Sequence, residues 1–218
     1  MKKHIVCFGD SNTHGYCAVP ENSESGGSRF TEQERWTCRL SEQLGEDYLV
    51  AEEGLSGRTT VFPDPLVEGL DGISLITPIL MTHEPVDLLI IMLGTNDVKE
   101  RFAANPYCIG LGLERLVLKA KHTDCWGSQG PNILVMAPPA IGEGMVRHPC
   151  VGDMGVTAVE KSRQLAPVYQ QVCQRQNCAF LDTQGIGSFN DFDCMHLTAE
   201  GHRALAEKLA QLVPELMR

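Results

Sequence analysis

A chain of 218 residues, 43% hydrophobic and 21% charged, is long enough for one domain with a sizeable core and has the composition of neither a disordered segment nor a fibre. Its formal charge of -10 would repel a phosphate backbone, no Lys/Arg cluster offsets that charge, and no run approaches the roughly 20 apolar residues of a membrane span. Nucleic acid and bilayer are therefore unexpected partners.

Strand-like and helix-like segments alternate along the chain. Residues 4–9 (HIVCFG) read as a buried strand, and 35–45 (RWTCRLSEQLG) carry apolar residues at helical spacing, closed by Gly45. A second strand is expected at 48–54 and a second helix at 73–83 despite Pro78; 87–94 (DLLIIMLG) is almost continuously apolar, as a strand buried on both faces should be. A helix around 111–121, a strand at 132–139, a helix over 156–176, a strand at 178–183 and an amphipathic helix at 199–217 complete the series. Five strands alternating with helices predict a three-layer α/β/α fold on a parallel sheet of flavodoxin-like order, spanning 1–218 as one domain. In such a fold the loops leaving the carboxyl ends of the strands share one rim, where ligands bind. The long Gly-, Pro- and Ser-rich stretches 15–34 and 140–155 border that rim and are expected to wall the pocket.

Nine scattered cysteines without a CxxC pair read as reduced thiols used as small hydrophobes. The short apolar run after Lys2-Lys3 ends at Asp10 and lacks the core of a signal peptide, so a cytoplasmic location is expected. His122-Thr-Asp-Cys125 and His148-Pro-Cys150 fit no zinc signature, and neither a Walker A loop nor a Gly-x-Gly-x-x-Gly unit occurs; no metal or cofactor is expected.

The rim carries Ser11 in GDSN after the first strand. Alone, Ser11 reads as a helix cap. As a nucleophile it needs a base and the base needs an orienting carboxylate, and Asp193 and His196 in DFDCMHLTAEGH stand three residues apart on the turn into the last helix, with Thr198 as its cap. Without Ser11, His196 would read as a cap-region histidine. An oxyanion needs donors: the Ser11 amide, the Gly57 amide in GLSGR and the Asn96 carboxamide in GTND are available, although Gly57 and Asn96 are also ordinary turn residues. Asp10 is expected to brace the loop rather than serve as the triad acid, and His202, inside the last helix, to be structural. Gly54-Leu-Ser56-Gly57-Arg58 lacks the final glycine of a Gly-x-Ser-x-Gly elbow, which argues against an α/β-hydrolase. A binding module on the sheet rim, with Ser11 only a cap, is the non-enzymatic alternative.

On Ser11, Gly57, Asn96 and His196, with Asp193 in an Asp-x-x-His position, the sequence resembles the SGNH (GDSL) hydrolases over essentially its whole length. ERWTCRLSEQLG, EEGLSGRTTVFPDP, LLIIMLGTNDVKERF and VMAPPAI are similar to the bacterial arylesterase branch, which includes an acyltransferase. The resemblance implies a serine esterase of short acyl or aryl esters, usually a homo-oligomer, with a restricted approach to the serine and small-molecule esters as substrates. The acyltransferase type has a bulky apolar residue after the serine and aromatic residues at the places of His14 and Tyr16. By that resemblance Asn12 and Tyr16 lie at the substrate mouth, and a polar Asn12 implies a wetter mouth and hydrolysis over acyl transfer. Carbohydrate O-acetylesterase and thioesterase or lysophospholipase activities are the alternatives within the family.

Overall fold

Uninterrupted apolar runs can bury both faces of a strand, and the computed structural model, which describes all 218 residues, places them side by side. Strands β1 (Lys3–Gly9), β2 (Tyr48–Gly54), β3 (Leu88–Met92), β4 (Ile133–Ala137) and β5 (Ala179–Asp182) form one sheet in the order β2-β1-β3-β4-β5, every neighbouring pair parallel. That is the flavodoxin-like order, and its two halves diverge between β1 and β3. The helices are α1 (Ser11–His14), α2 (Trp36–Leu44), α3 (Gly72–Thr82), α4 (Pro106–Lys121), α5 (Val151–Met154), α6 (Ala158–Arg163), α7 (Leu165–Gln176) and α8 (Ala199–Leu216).

Successive side chains of a strand point to opposite faces, so the sheet divides the core in two. Val6, Phe8, Leu89 and Ile91 pack with α3, α4 and α7, whereas Ile5, Cys7, Leu88 and Ile90 pack with α2 and α8. β1, β3 and β4 are central and buried; the edge strands β2 and β5 remain partly exposed.

Helix α4 starts at Pro106 rather than at 111, because Asn105 caps it (Oδ1 accepts the Cys108 N–H at 2.9 Å) and Pro106 suits its first turn. Gly110 and Gly112 hide its periodicity; a Cβ at Gly110 would stand 2.2 Å from Val168 Cγ1, so glycine is what lets α4 close on α7. The helix expected over 156–176 is split at Gln164, since Pro167 has no amide hydrogen to give to residue 163. No helix is long and apolar enough to cross a membrane.

The stretch 15–34 is held down by its own carboxylate. Glu34 accepts from the Thr31 N–H, the Thr31 and Ser23 hydroxyls and the Glu24 N–H. Arg35 next to it pairs with Glu52 of β2 at 3.0 Å and donates to the Phe30 carbonyl at 2.8 Å.

Candidate active site

At the end of β1 the chain turns directly into α1. Asp10 is the cap of that helix, accepting the Asn12 N–H at 3.0 Å, so Ser11 is its first residue and not its cap. Burial pushes the Asp10 carboxyl up to about 6, against the Asn12 N–H, His196 and Arg58, which favour its charge. The cap leaves the Ser11 hydroxyl free to face the rim, where its Oγ lies 2.9 Å from His196 Nε2. On the other side of the ring, His196 Nδ1 is 2.6 Å from Asp193 Oδ2. Residues 185 positions apart are thus joined in one line of hydrogen bonds, with His196 in the middle.

The turn that carries Asp193 and His196 is self-bracing. Asp193 Oδ1 accepts the N–H groups of Met195 and His196, each at 3.1 Å, and the Asn190 side chain donates to Asp193 Oδ1 at 2.9 Å and to the His196 carbonyl at 2.8 Å. Burial acts to raise the Asp193 carboxyl, but His196, the Met195 N–H and Asn190 outweigh it and hold it well below the usual carboxylate range. Cys194, between them, takes a left-handed φ of 58°, a conformation this network has to sustain. Asn190 was not singled out from the sequence. Its place in FNDFD, three residues before an aspartate, is the turn signal that marks it.

The loops after β2 and β3 are tied to each other and to β1. Gly57 has φ 89°, open to glycine, and a Cβ there would meet Leu70 Cδ1 at 2.9 Å. Its N–H takes no acceptor within the protein. Asn96 gives one of its two side-chain N–H groups to the Arg58 carbonyl at 3.2 Å, and Asp97 accepts from the Thr60 N–H at 2.9 Å and from the Thr60 hydroxyl. The buried Arg58 guanidinium donates to the carbonyls of Gly9 and Glu53 and lies 4.2 Å from the Phe8 ring centroid, so its side chain ties β1 to β2 while its own carbonyl takes the Asn96 side chain from the loop after β3.

Ser11, Gly57, Asn96, Asp193 and His196 line one cavity of about 280 Å³, at the small end of ligand sites. Tyr16 lines it as well, its ring 4.6 Å from that of His196. Both long stretches contribute walls, Tyr16 and Ala18 from the first, His148, Cys150, Asp153 and Met154 from the second. Lys99, also in the wall, was not anticipated. His202 is fully buried away from the cavity, where its Nδ1 accepts the Trp36 N–H at 3.3 Å and burial lowers its pKa to about 3.

Asn12 does not sit at the mouth. It is 2% exposed, and its side chain grips the backbone on either side of His196, donating to the Met195 carbonyl at 3.2 Å and accepting the Leu197 N–H at 2.9 Å. The reason is helical geometry: consecutive residues of a helix point about 100° apart, so Asn12 turns inward when Ser11 faces the cavity. A wetter mouth therefore cannot be argued from Asn12. Asn12→Ala should leave two buried backbone groups unpaired and cost about 1–3 kcal/mol, with a fall in kcat as His196 loses its brace. Urea unfolding and turnover of one ester measure both; an unchanged midpoint would show that those bonds contribute nothing.

A hydrogen-bonded Ser-His-Asp line at the carboxyl edge of a doubly wound parallel sheet is an arrangement shared with serine hydrolases. Residues 7–204 match the GDSL-like Lipase/Acylhydrolase family, and the chain belongs to that family. Among solved structures it is similar to the native aryl esterase of M. smegmatis, with 38% identity, coverage of 98% of this chain and 99% of that one, and a TM-score of 0.87. It is also similar to a carbohydrate acetylesterase from Sinorhizobium meliloti, with 34% identity over 99% of this chain and 100% of that one and a TM-score of 0.87. No curated protein matches the sequence. The chain is a carboxylic ester hydrolase of the SGNH type.

Proposed function

We propose that the protein hydrolyses short-chain acyl and aryl esters through an acyl-enzyme on Ser11, with water preferred to alcohols as the acceptor. The observation that carries this reading is His196 held between Asp193 Oδ2 at 2.6 Å and Ser11 Oγ at 2.9 Å. Ser11 Oγ attacks the ester carbonyl carbon while its proton passes to His196 Nε2. As the C–O bond breaks, that proton goes to the departing alkoxide. Water then attacks the acyl carbon, gives a proton to His196, and Ser11 Oγ recovers it. Asp193 holds the imidazole in the tautomer that leaves Nε2 free to accept. The Ser11 and Gly57 amides and the Asn96 carboxamide stabilise the oxyanion, a contribution of about 10²- to 10³-fold for each donor.

The small cavity supports a short acyl group, and its polar lining of Ser56, Thr95, Lys99 and Asp153 supports access of water. Acetyl esters of carbohydrates are a second reading, favoured by the likeness to the Sinorhizobium meliloti acetylesterase. Aryl esters from acetyl to octanoyl, assayed with and without a primary alcohol, test the proposal. Turnover is expected to fall as the acyl chain outgrows the cavity, with free acid as the main product in both conditions. A flat profile to octanoyl, or transfer to the alcohol as the main outcome, would overturn it.

A further inference from the structure

Lys99 is 8% exposed and is part of the wall of the Ser11 cavity. It sits one turn beyond Asn96, whose carbonyl accepts the Lys99 N–H at 3.2 Å, so the side chain is carried by the same loop as a proposed oxyanion donor. An ammonium has three donors. Only one polar partner is present for it, Asp153 Oδ2 at 3.1 Å, on a carboxylate that is half exposed at the end of the 140–155 stretch.

That carboxylate is not Lys99's alone. Arg101 pairs with Asp153 Oδ1, donates to its backbone carbonyl at 3.2 Å and holds Asp64 at 3.2 Å. Two cations and two carboxylates therefore balance, and Asp153, the partner of Lys99 within the cavity wall, is itself held by Arg101 from outside it. Burial and the Arg101 charge pull the Lys99 pKa down, while Asp64 and, beyond the balanced set, Asp10 and Asp97 act on it in the opposite direction. An anionic substrate group would have to enter against Asp153, with Asp10 and Asp97 behind it. A neutral oxygen would not, and it would meet an ammonium with unmatched donors in a partly dry site, where a charge-assisted hydrogen bond is strong.

We propose that Lys99 is a specificity-determining residue that donates a hydrogen bond to a neutral oxygen, ether or hydroxyl, carried by the ester close to its scissile carbonyl. The proposal rests on the Ser11 esterase reading and selects oxygen-bearing neutral esters over hydrocarbon esters of the same size. Asp153 beside it in the cavity wall orients the ammonium and leaves its remaining N–H groups to the substrate.

Isosteric pairs test it, one on each side of the ester: 4-nitrophenyl butyrate against 4-nitrophenyl methoxyacetate, and butyl acetate against 2-methoxyethyl acetate. The readout is the ratio of kcat/KM within each pair, compared between the wild type and Lys99→Met, which cancels the intrinsic reactivity of the esters. In at least one pair the preference for the oxygenated member should fall about tenfold, mainly through KM, and Lys99→Arg should restore most of it. Lys99→Gln, which keeps a weaker donor, should fall between; it carries the same comparison if the methionine variant melts early. An unchanged ratio in both pairs would reduce Lys99 to a packing residue and overturn the proposal. So would a wild-type preference for 4-nitrophenyl hemisuccinate that disappears in Lys99→Met, since that would make the site one for carboxylates. Absence of hydrolysis of every ester by the wild type would instead count against the Ser11 reading itself.

Discussion

Ser11→Ala is expected to lower kcat by at least about 10⁴-fold while leaving the thermal midpoint close to that of the wild type. The Ser11 hydroxyl makes one hydrogen bond, to His196 Nε2, and the helix it begins is capped by Asp10 rather than by the hydroxyl itself. Removing the oxygen therefore removes the acyl acceptor and little of the structure. The backbone N–H at position 11 stays, so a small residual rate from oxyanion stabilisation should survive. Turnover of an aryl acetate and a melting curve measure the two halves of this statement, and loss of labelling by a fluorophosphonate should accompany the first. Activity near wild type would remove Ser11 from the chemistry.

Asp193→Asn should cost about 10⁴-fold in kcat with a much smaller change in KM. An asparagine in this position can still accept from the Met195 and His196 N–H groups through its oxygen, so the turn can form. Where Asp193 Oδ2 now faces His196 Nδ1 at 2.6 Å, an NH2 group would face it instead, favouring the tautomer that carries its proton on Nε2 and cannot take one from Ser11. The same substitution has a signature in stability. Because the folded Asp193 carboxyl lies well below the ordinary range, it stabilises the fold above the unfolded value of about 3.9, and that contribution is lost as pH falls from there through the folded value. Urea midpoints followed from pH 6 downward should fall less steeply for Asp193→Asn than for the wild type. Parallel acid limbs would mean that Asp193 is not held by His196 in solution.

The parallel sheet was legible because three of its strands are unbroken apolar runs, a pattern that only burial on both faces explains. The helices with clear caps were legible for a related reason: Thr198 stands where its side chain is needed by the Gly201 N–H. Boundaries failed where a glycine or proline disturbed the period for a tertiary purpose, as Gly110 does against Val168 and Pro167 does at the break between α6 and α7.

At the site, the sequence by itself determined which chemical groups are present and that strand order delivers them to one rim: Ser11, Gly57, Asn96, Asp193 and His196 each follow a strand. Such groups are legible because a nucleophile, a base and an acid are tied to residue types, and a strand end is tied to a position in the fold. Direction was not legible. Asn12 and Ser11 are neighbours in sequence, and only the start of α1 at Ser11 decides that one faces the cavity and the other braces the backbone around His196. The Lys99–Asp153 pair was equally hidden, because its members come from separate loops and the four-residue α5 is too short for any period to mark. Tertiary structure decided those contacts because a side chain's direction and a loop's neighbour depend on what the rest of the chain packs against it, and neither is encoded within a few residues of the side chain itself.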